Sequence, residues 1–332
     1  MAKVRMRDVG AKLGVSTVTV SKALNGKDGV SEEVRARIVE AAKQMGYEID
    51  APVVVNRHIS IGVLVGHRFY SEDDAFYSKV YTRLIQVAHT LNITVLLEIV
   101  SREYEDNCIL PKFIQNKQIE GLIYLGSLDD NYINYVNSQN VPYIYLDFYN
   151  NNKMEDSVVS DNYSGSYAIT KLLINKGHKD IRFIGRIEAT SSIFDRYMGY
   201  LKAIIEFGLL NETDITPIPD RNERGKAYKE YELTNISKAY VCNCDLAAFY
   251  LKNSLIAKGY KIPEDVSITG FDDSYFATIS SPELTTYKVN IKALTTTALQ
   301  LLLRKINGET DFKVKKIVSG DIIERASVKK LN

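Results

Sequence analysis

Within ten positions near the amino end, Ser16, Thr17, Thr19 and Ser21 offer hydroxyls, Lys22 an ammonium, Asn25 an amide and Val18 two methyls. Short groups of this kind exchange hydrogen bonds with phosphate oxygens and base edges. Threonine or valine methyls can meet a thymine methyl, and a lysine can donate to guanine O6 or N7. On that chemistry Thr17, Val18 and Lys22 are expected to read bases, and Ser16, Thr19, Ser21 and Asn25 to hold phosphates together with Arg7. A second set of polar groups ends short β-like runs. Asp147 follows Ile144-Tyr145-Leu146, Asp161 follows Val158-Val159-Ser160, Asn243 follows Tyr240-Val241-Cys242, and Asp272 follows Gly270-Phe271. Open α/β sheets take ligands beyond the carboxyl ends of their strands, which is where these groups would stand. An aspartate at such a place can equally cap the next helix.

The elements that must position the first set are three short helices. Val9 and Leu13 share one face of a helix that starts near Asp8; Gly14 tolerates the left-handed turn that breaks it, and Ser16 is an N-cap. Val15, Val20, Ala23 and Leu24 can then pack inward, leaving the polar groups outside, and Asn25-Gly26 ends the segment. Ser31 caps a third helix whose buried stripe is Val34, Ile38, Ala41, Ala42 and Met45. Two helices joined by a tight glycine-containing turn, with a small-polar outer face on the second, make a helix-turn-helix. Charge agrees with that reading. Up to Lys27 six cations (Lys3, Arg5, Arg7, Lys12, Lys22, Lys27) face the single acid Asp8, whereas the whole chain carries only +1. The positive field is therefore concentrated where nucleic acid would be met.

Past residue 58 the pattern changes to β-rich runs alternating with helical ones. Strands are expected at 59–65, 94–100, 121–125, 142–148, 181–185, 239–242 and 266–270, with extended segments at 157–161, 285–289 and 314–324. Helices are expected at 76–91, 107–116, 132–138, 165–175, 196–207, 246–258 and 291–306. Such alternation implies parallel sheets with right-handed crossovers, here in two doubly wound lobes between which the chain passes more than once.

The amino-terminal segment resembles the headpiece of the lactose-repressor/galactose-repressor family of bacterial transcription factors. The family's "DVA…AGVS…TVS…LN" run and "GY" close are matched by Asp8-Val9, Leu13-Gly14-Val15-Ser16, Thr19-Val20-Ser21, Leu24-Asn25, Val30-Ser31 and Gly46-Tyr47. The likeness continues through Val159-Ser160-Asp161-Asn162, Lys176-Gly177-His178, Asp195-Arg196 with Gly199-Tyr200, and the run from Ile262-Pro263 to Gly270-Phe271-Asp272-Asp273. It implies an N-terminal all-α helix-turn-helix headpiece (1–48), a hinge (49–58) and a periplasmic-binding-protein-like (type I) α/β domain of two doubly wound parallel-sheet lobes (59–332). In that frame one lobe is 59–160 plus 288–318 and the other 161–287 plus 319–332, with crossovers near 158–162, 287–290 and 316–320. The resemblance makes Arg196 and Asp272 the first effector contacts, with Asp147, Asp161 and Asn243 beside them. Forked guanidinium donors and carboxylate acceptors suit sugar hydroxyls, each of which needs both. Phe69, Tyr70 and Phe76 could stack on a pyranose, or simply fill the lobe interior.

The chain departs from the family at three places. Cys244 stands where an asparagine usually precedes Asp245. The hinge places Pro52 before Val53-Val54-Val55, followed by Arg57, and lacks the leucine that wedges into a minor groove. Ring clash and β-branching then favour an extended hinge, or one helical only on DNA, with a shallower operator bend. No terminal heptad repeat follows Lys329-Lys330, so a homodimer is expected rather than a tetramer.

The expected function is a sequence-specific regulator, most simply a repressor of carbohydrate-utilisation genes. Its partners would be a pseudo-palindromic double-stranded DNA operator, a sugar effector and a second copy of itself. The alternative is a cytosolic sugar-binding protein that binds DNA weakly or without specificity. An enzyme is not expected, because no phosphate-binding glycine loop, nucleophile elbow or metal motif is present. No cofactor or metal is expected. Three cysteines (Cys108, Cys242, Cys244) read as buried thiols of a reducing compartment. No apolar run approaches the ~20 residues of a membrane span, and the amino end lacks an export signal, so a cytoplasmic location is expected.

Overall fold

A computed structural model describes residues 4–24, 29–45, 57–70, 75–150, 155–309 and 313–331. Asn25 and the hinge residues Val53, Val54 and Val55 lie outside the described residues; Arg57 lies within them and is exposed. The chain divides into two compact units, Met1–His58 and Ile59–Asn332.

The first unit is built from α1 (Met6–Leu13), α2 (Thr17–Leu24) and α3 (Glu32–Gln44). Gly14 adopts φ +67°, the left-handed turn residue between α1 and α2. Ser16 caps α2 by accepting from the Thr19 amide at 3.0 Å. Val9, Val20, Ala23, Leu24, Ile38 and Ala42 form the buried centre, one stripe from each helix. Arg35 of α3 donates to the carbonyls of Lys22 and Ala23 at 3.3 and 3.0 Å, satisfying the end of α2 that has no intrahelical partner.

The second unit contains two sheets. The first holds β1 (Ile59–Gly66), β2 (Ile93–Val100), β3 (Gly121–Leu125), β4 (Tyr143–Leu146), β5 (Ser157–Ser160) and β10 (Lys315–Val318), in the order β10-β5-β4-β3-β1-β2. All its pairings are parallel. The second holds β6 (Ile181–Ile184), β7 (Ala239–Cys242), β8 (Ser267–Asp272), β9 (Thr285–Lys288) and β11 (Asp321–Ile323), in the order β11-β9-β8-β7-β6. Here β11 runs antiparallel to β9, the one departure from parallel pairing. The chain passes from the first sheet to the second after β5, returns after β9, and passes again between β10 and β11. At that last passage Gly320 donates its amide to the Tyr287 hydroxyl at 2.6 Å. The extended run expected over 314–324 is therefore two strands in two sheets.

Helices cover these sheets: α4 (Ala75–Thr90), the short α5 (Arg102–Asp106) and α6 (Lys112–Gln115), α7 (Asp130–Asn137), α8 (Asn162–Asn175), α9 (Ser191–Glu206), α10 (Asp245–Ala257), α11 (Tyr275–Ile279) and α12 (Ile291–Ile306). Of the helix expected at 107–116 only Lys112–Gln115 is helical, opened by Pro111, while a separate short helix precedes it at Arg102–Asp106 and Cys108 at φ +49° turns the chain between them. Helix α9 starts five residues before the expected 196, because Thr190 caps it by accepting from the Ile193 amide at 3.1 Å.

The core is rich in tyrosine, and several of its hydroxyls are satisfied internally: Tyr124 donates to Asn137 Oδ1 at 2.7 Å and Tyr132 to the Ile109 carbonyl at 3.0 Å. Cys242 is buried, whereas Cys108 is only half-buried, which corrects the expectation for that thiol; Cys244 is partly exposed as a residue, but its thiol is desolvated by its surroundings. Among the described residues no helix is long and apolar enough to cross a membrane, and no cluster of side chains could hold a metal ion.

Candidate functional site

On α2 the residues expected to touch DNA divide into two kinds. Thr17 and Lys22 are exposed, and Val18 is 65% exposed although apolar, an unusual use of a valine in so small a unit. Ser16 and Thr19 instead serve the helix itself, since their hydroxyls hydrogen bond to one another at 2.8 Å in addition to the cap. Ser21 is half-buried. Arg7 on α1 is exposed and lies 3.6 Å from Asp8. Sequence reasoning missed Arg35, whose hold on the end of α2 fixes where Lys22 emerges.

In the second unit the strand ends open on a cleft of about 1660 Å³ lined by Phe69, Phe76, Asp147, Arg196, Asn243 and Asp272. Six of the eight residues expected around the effector thus line one cleft. Asp161 is not among the lining residues: its carboxylate accepts from the Ser164 amide at 3.1 Å and caps α8, so the bland reading of that strand-end acid prevails. Tyr70 is absent from the lining too and packs edge-on to Tyr81 at 6.4 Å.

Arg196 is the hub. Its Nε donates to Asn162 Oδ1 at 2.8 Å and its Nη1 to the Asn243 carbonyl at 2.5 Å; Nη2 lies 3.4 Å from Asp272 Oδ1. The guanidinium sits 3.8 Å from the Phe271 ring centroid. A guanidinium has five N–H donors, so this bracing leaves donors available to a ligand. Asp272 stands at φ +107° and Asp147 at φ +68°, backbone conformations that aim both carboxylates away from their strands at some cost.

Asp147 is buried at 3% exposure. Its Oδ2 accepts from the Tyr77 hydroxyl at 3.0 Å and its carbonyl from Ser192 Oγ at 2.7 Å. Its Oδ1 has no hydrogen-bond partner among the described residues. Burial pushes this carboxyl up to about 6, against the opposing pull of the Arg196 charge and the Tyr77 hydrogen bond. A buried acceptor left open in this way invites a donor.

Asn243 is more a brace than a reader. Its amide nitrogen donates to the Ile184 carbonyl at 3.2 Å, and its own carbonyl holds Arg196. Beside it, burial pushes the Cys244 thiol up to about 12, so this position offers only a neutral and weak donor. Arg221 lines the cleft nearby and is locked by Nε and Nη2 onto Asp220 Oδ2 at 2.9 and 2.7 Å. Burial opposes the charge on Asp220, but the Arg221 guanidinium outweighs it and holds that carboxyl below its ordinary range.

Tyr77, Ser192 and Arg221 were missed from the sequence. Tyr77 sits beside Phe76 near the start of α4, and Ser192 lies in the first turn of α9, which begins before the expected helix start at 196. Arg221 lies in the 207–238 stretch, which has neither helix nor named strand and therefore no periodicity to read.

Comparison with known proteins agrees with this architecture. Residues 5–49 match the model of bacterial regulatory proteins of the lacI family, and residues 170–328 match a periplasmic binding protein-like domain. The chain is 28% identical over 334 aligned positions to the HTH-type transcriptional regulator RegA of Clostridium saccharobutylicum, covering 97% of this chain and 98% of RegA. Among solved structures it is similar to the transcriptional regulator CelR in complex with cellobiose (TM-score 0.68, 22% identity, 98% of this chain and 100% of that one). It is also similar to the lac repressor dimer bound to operator and the anti-inducer ONPF (TM-score 0.66, 20% identity, 99% and 100%). At these identities the structural likeness speaks for the fold. A helix-turn-helix unit, a two-sheet cleft unit and matching family models lead to one conclusion: the chain belongs to the lacI family of bacterial regulatory proteins and is a DNA-binding transcriptional regulator, not an enzyme.

Proposed function

We propose that this regulator represses carbohydrate-utilisation genes as a homodimer whose grip on a pseudo-palindromic operator is set by a sugar bound in the cleft. The observation that carries the proposal is the pairing of the open Asp147 Oδ1 with the partly spent Arg196 guanidinium in one cleft. Together they supply the acceptor and the donor that a sugar hydroxyl needs. Asp272 adds a second acceptor, and Arg221 can supply the donor that Cys244 does not. The similarity to a cellobiose-bound regulator points the same way.

On the DNA side, exposed Thr17, Val18 and Lys22 read base edges, and Arg7 meets phosphate. Ser16 and Thr19 fix the start of α2 and reach phosphate only with what their mutual hydrogen bond leaves over. A two-fold dimer presents two such helices to adjacent major grooves. Sugar binding that favours one lobe closure changes operator affinity, and operator binding changes sugar affinity by the same factor.

The test pairs selection of genomic fragments on the full-length chain with calorimetry of the same preparation against a sugar panel. Enrichment of a palindrome whose affinity changes with a sugar supports the reading. Indifference to DNA sequence alongside tight sugar binding would leave a sugar-binding protein without an operator.

A further inference from the structure

The cleft extends well beyond the cluster around Arg196. At about 1660 Å³ it exceeds the roughly 300–1,000 Å³ typical of a pocket for one drug-sized ligand. Its outer part is built as firmly as its inner part. Arg68 donates from Nη1 to Glu105 Oε1 at 2.5 Å and from Nη2 to the Ser127 carbonyl at 2.8 Å. Glu105, itself fully buried, uses Oε2 to accept from the Asp129 amide at 2.7 Å. From the other sheet's side a turn at 222–226 reaches the same place: a Cβ on Gly225, at φ +82°, would lie 3.3 Å from Arg68 Cδ. That turn is preformed, because Asn222 Oδ1 accepts from the amides of Arg224 and Lys226 at 2.9 and 3.0 Å.

The outer and inner parts are joined by one wall. The Arg68 guanidinium lies 5.0 Å from the Phe69 ring, Phe69 packs on Tyr77 at 5.5 Å, and Tyr77 donates to Asp147. Further aromatic rings line the space, including Phe76, Tyr149 and Phe276. Aromatic faces interleaved with donor–acceptor pairs suit successive sugar rings, each with apolar faces and an equatorial fringe of hydroxyls.

Charge is spread along the cleft. Arg68, Arg102, Arg186, Arg196 and Arg221 line it, each within ion-pair distance of a carboxylate of the chain, and Arg224, Lys226 and Lys229 line it as well. At the paired arginines a ligand carboxylate or phosphate would have to displace a partner, whereas sugar hydroxyls can bridge the pairs.

Building on the sugar reading above, we propose that the cleft takes a linear oligosaccharide of at least two rings, with the second ring in an outer subsite made by the Arg68–Glu105 pair and the 222–226 turn. Calorimetry on the full-length chain tests this with glucose, cellobiose, cellotriose, maltose, maltotriose, xylose and xylobiose, and with glucuronate and glucose 6-phosphate as acidic probes. In one of the series the disaccharide is expected to bind at least tenfold tighter than its monosaccharide. Arg68→Met combined with Glu105→Gln, which removes the pair without stranding a buried charge, abolishes that increment and leaves monosaccharide affinity within twofold. The exposed double variant Arg224→Ala with Lys226→Ala, which spares the fold, lowers disaccharide affinity at least threefold and monosaccharide affinity by less than twofold. Equal affinity for one and two rings, equal losses on both in either variant, or binding of the acidic probes alone overturns the outer subsite while leaving a sugar-responsive regulator intact. No binding by any of these sugars overturns both.

Discussion

The outer face of α2 and the inner face of the cleft are built on opposite principles. Val18, Thr17 and Lys22 stand in solvent on a helix whose buried side is complete without them. Asp147, Arg196 and Asp272 are nearly sealed from water, and each is held by groups from other elements. A reader of DNA that must slide and re-dock gains from side chains free of internal obligations. A ligand site gains from side chains fixed in advance, because rotamer entropy is then lost on folding rather than on binding. The two regions should therefore respond differently to substitution: changes on α2 alter recognition without touching stability, and changes in the cleft alter both.

The sharpest way to break that contrast is Arg196→Ala. It strands the buried Asp272 carboxylate and unties Asn162 and the Asn243 carbonyl, so about 3–5 kcal/mol of stability should be lost, measured by urea unfolding. A loss below ~1 kcal/mol would mean the hub is not structural.

Asp245, beneath the cleft, accepts from the Ser274 amide at 2.7 Å and Thr286 Oγ1 at 2.6 Å, and burial pushes its carboxyl up to about 7. The folded chain then keeps a proton that the unfolded chain releases above about pH 4. Stability should accordingly fall as pH rises from about 4 through about 7, by something on the order of 1–3 kcal/mol. Asp245→Asn should flatten that slope in thermal melts across the range, its amide facing Thr286 and its oxygen facing Ser274. An unchanged slope would assign the pH dependence to another group.

On α2, Lys22→Ala should relax base preference at one operator position by ~1–3 kcal/mol, whereas Arg7→Ala should weaken all sequences alike and flatten the salt slope. Equal losses for Lys22→Ala on operator and random DNA would remove its base-reading role. If the ionised Asp147 is the sugar's acceptor, affinity should climb as pH rises through about 6 and level off above, and Asp147→Asn should erase that titration in calorimetry. The smallest expected effect closes the comparison: Val18→Ala should leave stability within ~0.5 kcal/mol while changing operator affinity, since the side chain buries little in the free protein.

The same contrast explains what could be read in the residue string. The expected stripes of the first unit are its buried centre, because a helix brings residues three and four apart together by itself. Asp147, Asn243 and Asp272 were visible as strand ends, and Arg196 through the family likeness. Asp161 carried the same strand-end signal yet caps a helix, because the choice between cap and ligand contact depends on the angle at which the chain leaves the strand. The Arg68–Glu105 pair is 37 residues apart in sequence, and Arg221 belongs to a segment without period.

Sequence alone determined the elements, the helix-turn-helix surface, the family and most of the strand-end acids, since each follows from local spacing or a local motif. Only tertiary structure decided which of those acids line the cleft, that Ser16 and Thr19 serve their own helix first, and that a turn at 222–226 meets Arg68 from across the cleft. The reason is physical: a side chain's free valences are what remain after its neighbours have been satisfied, and those neighbours come from distant parts of the chain.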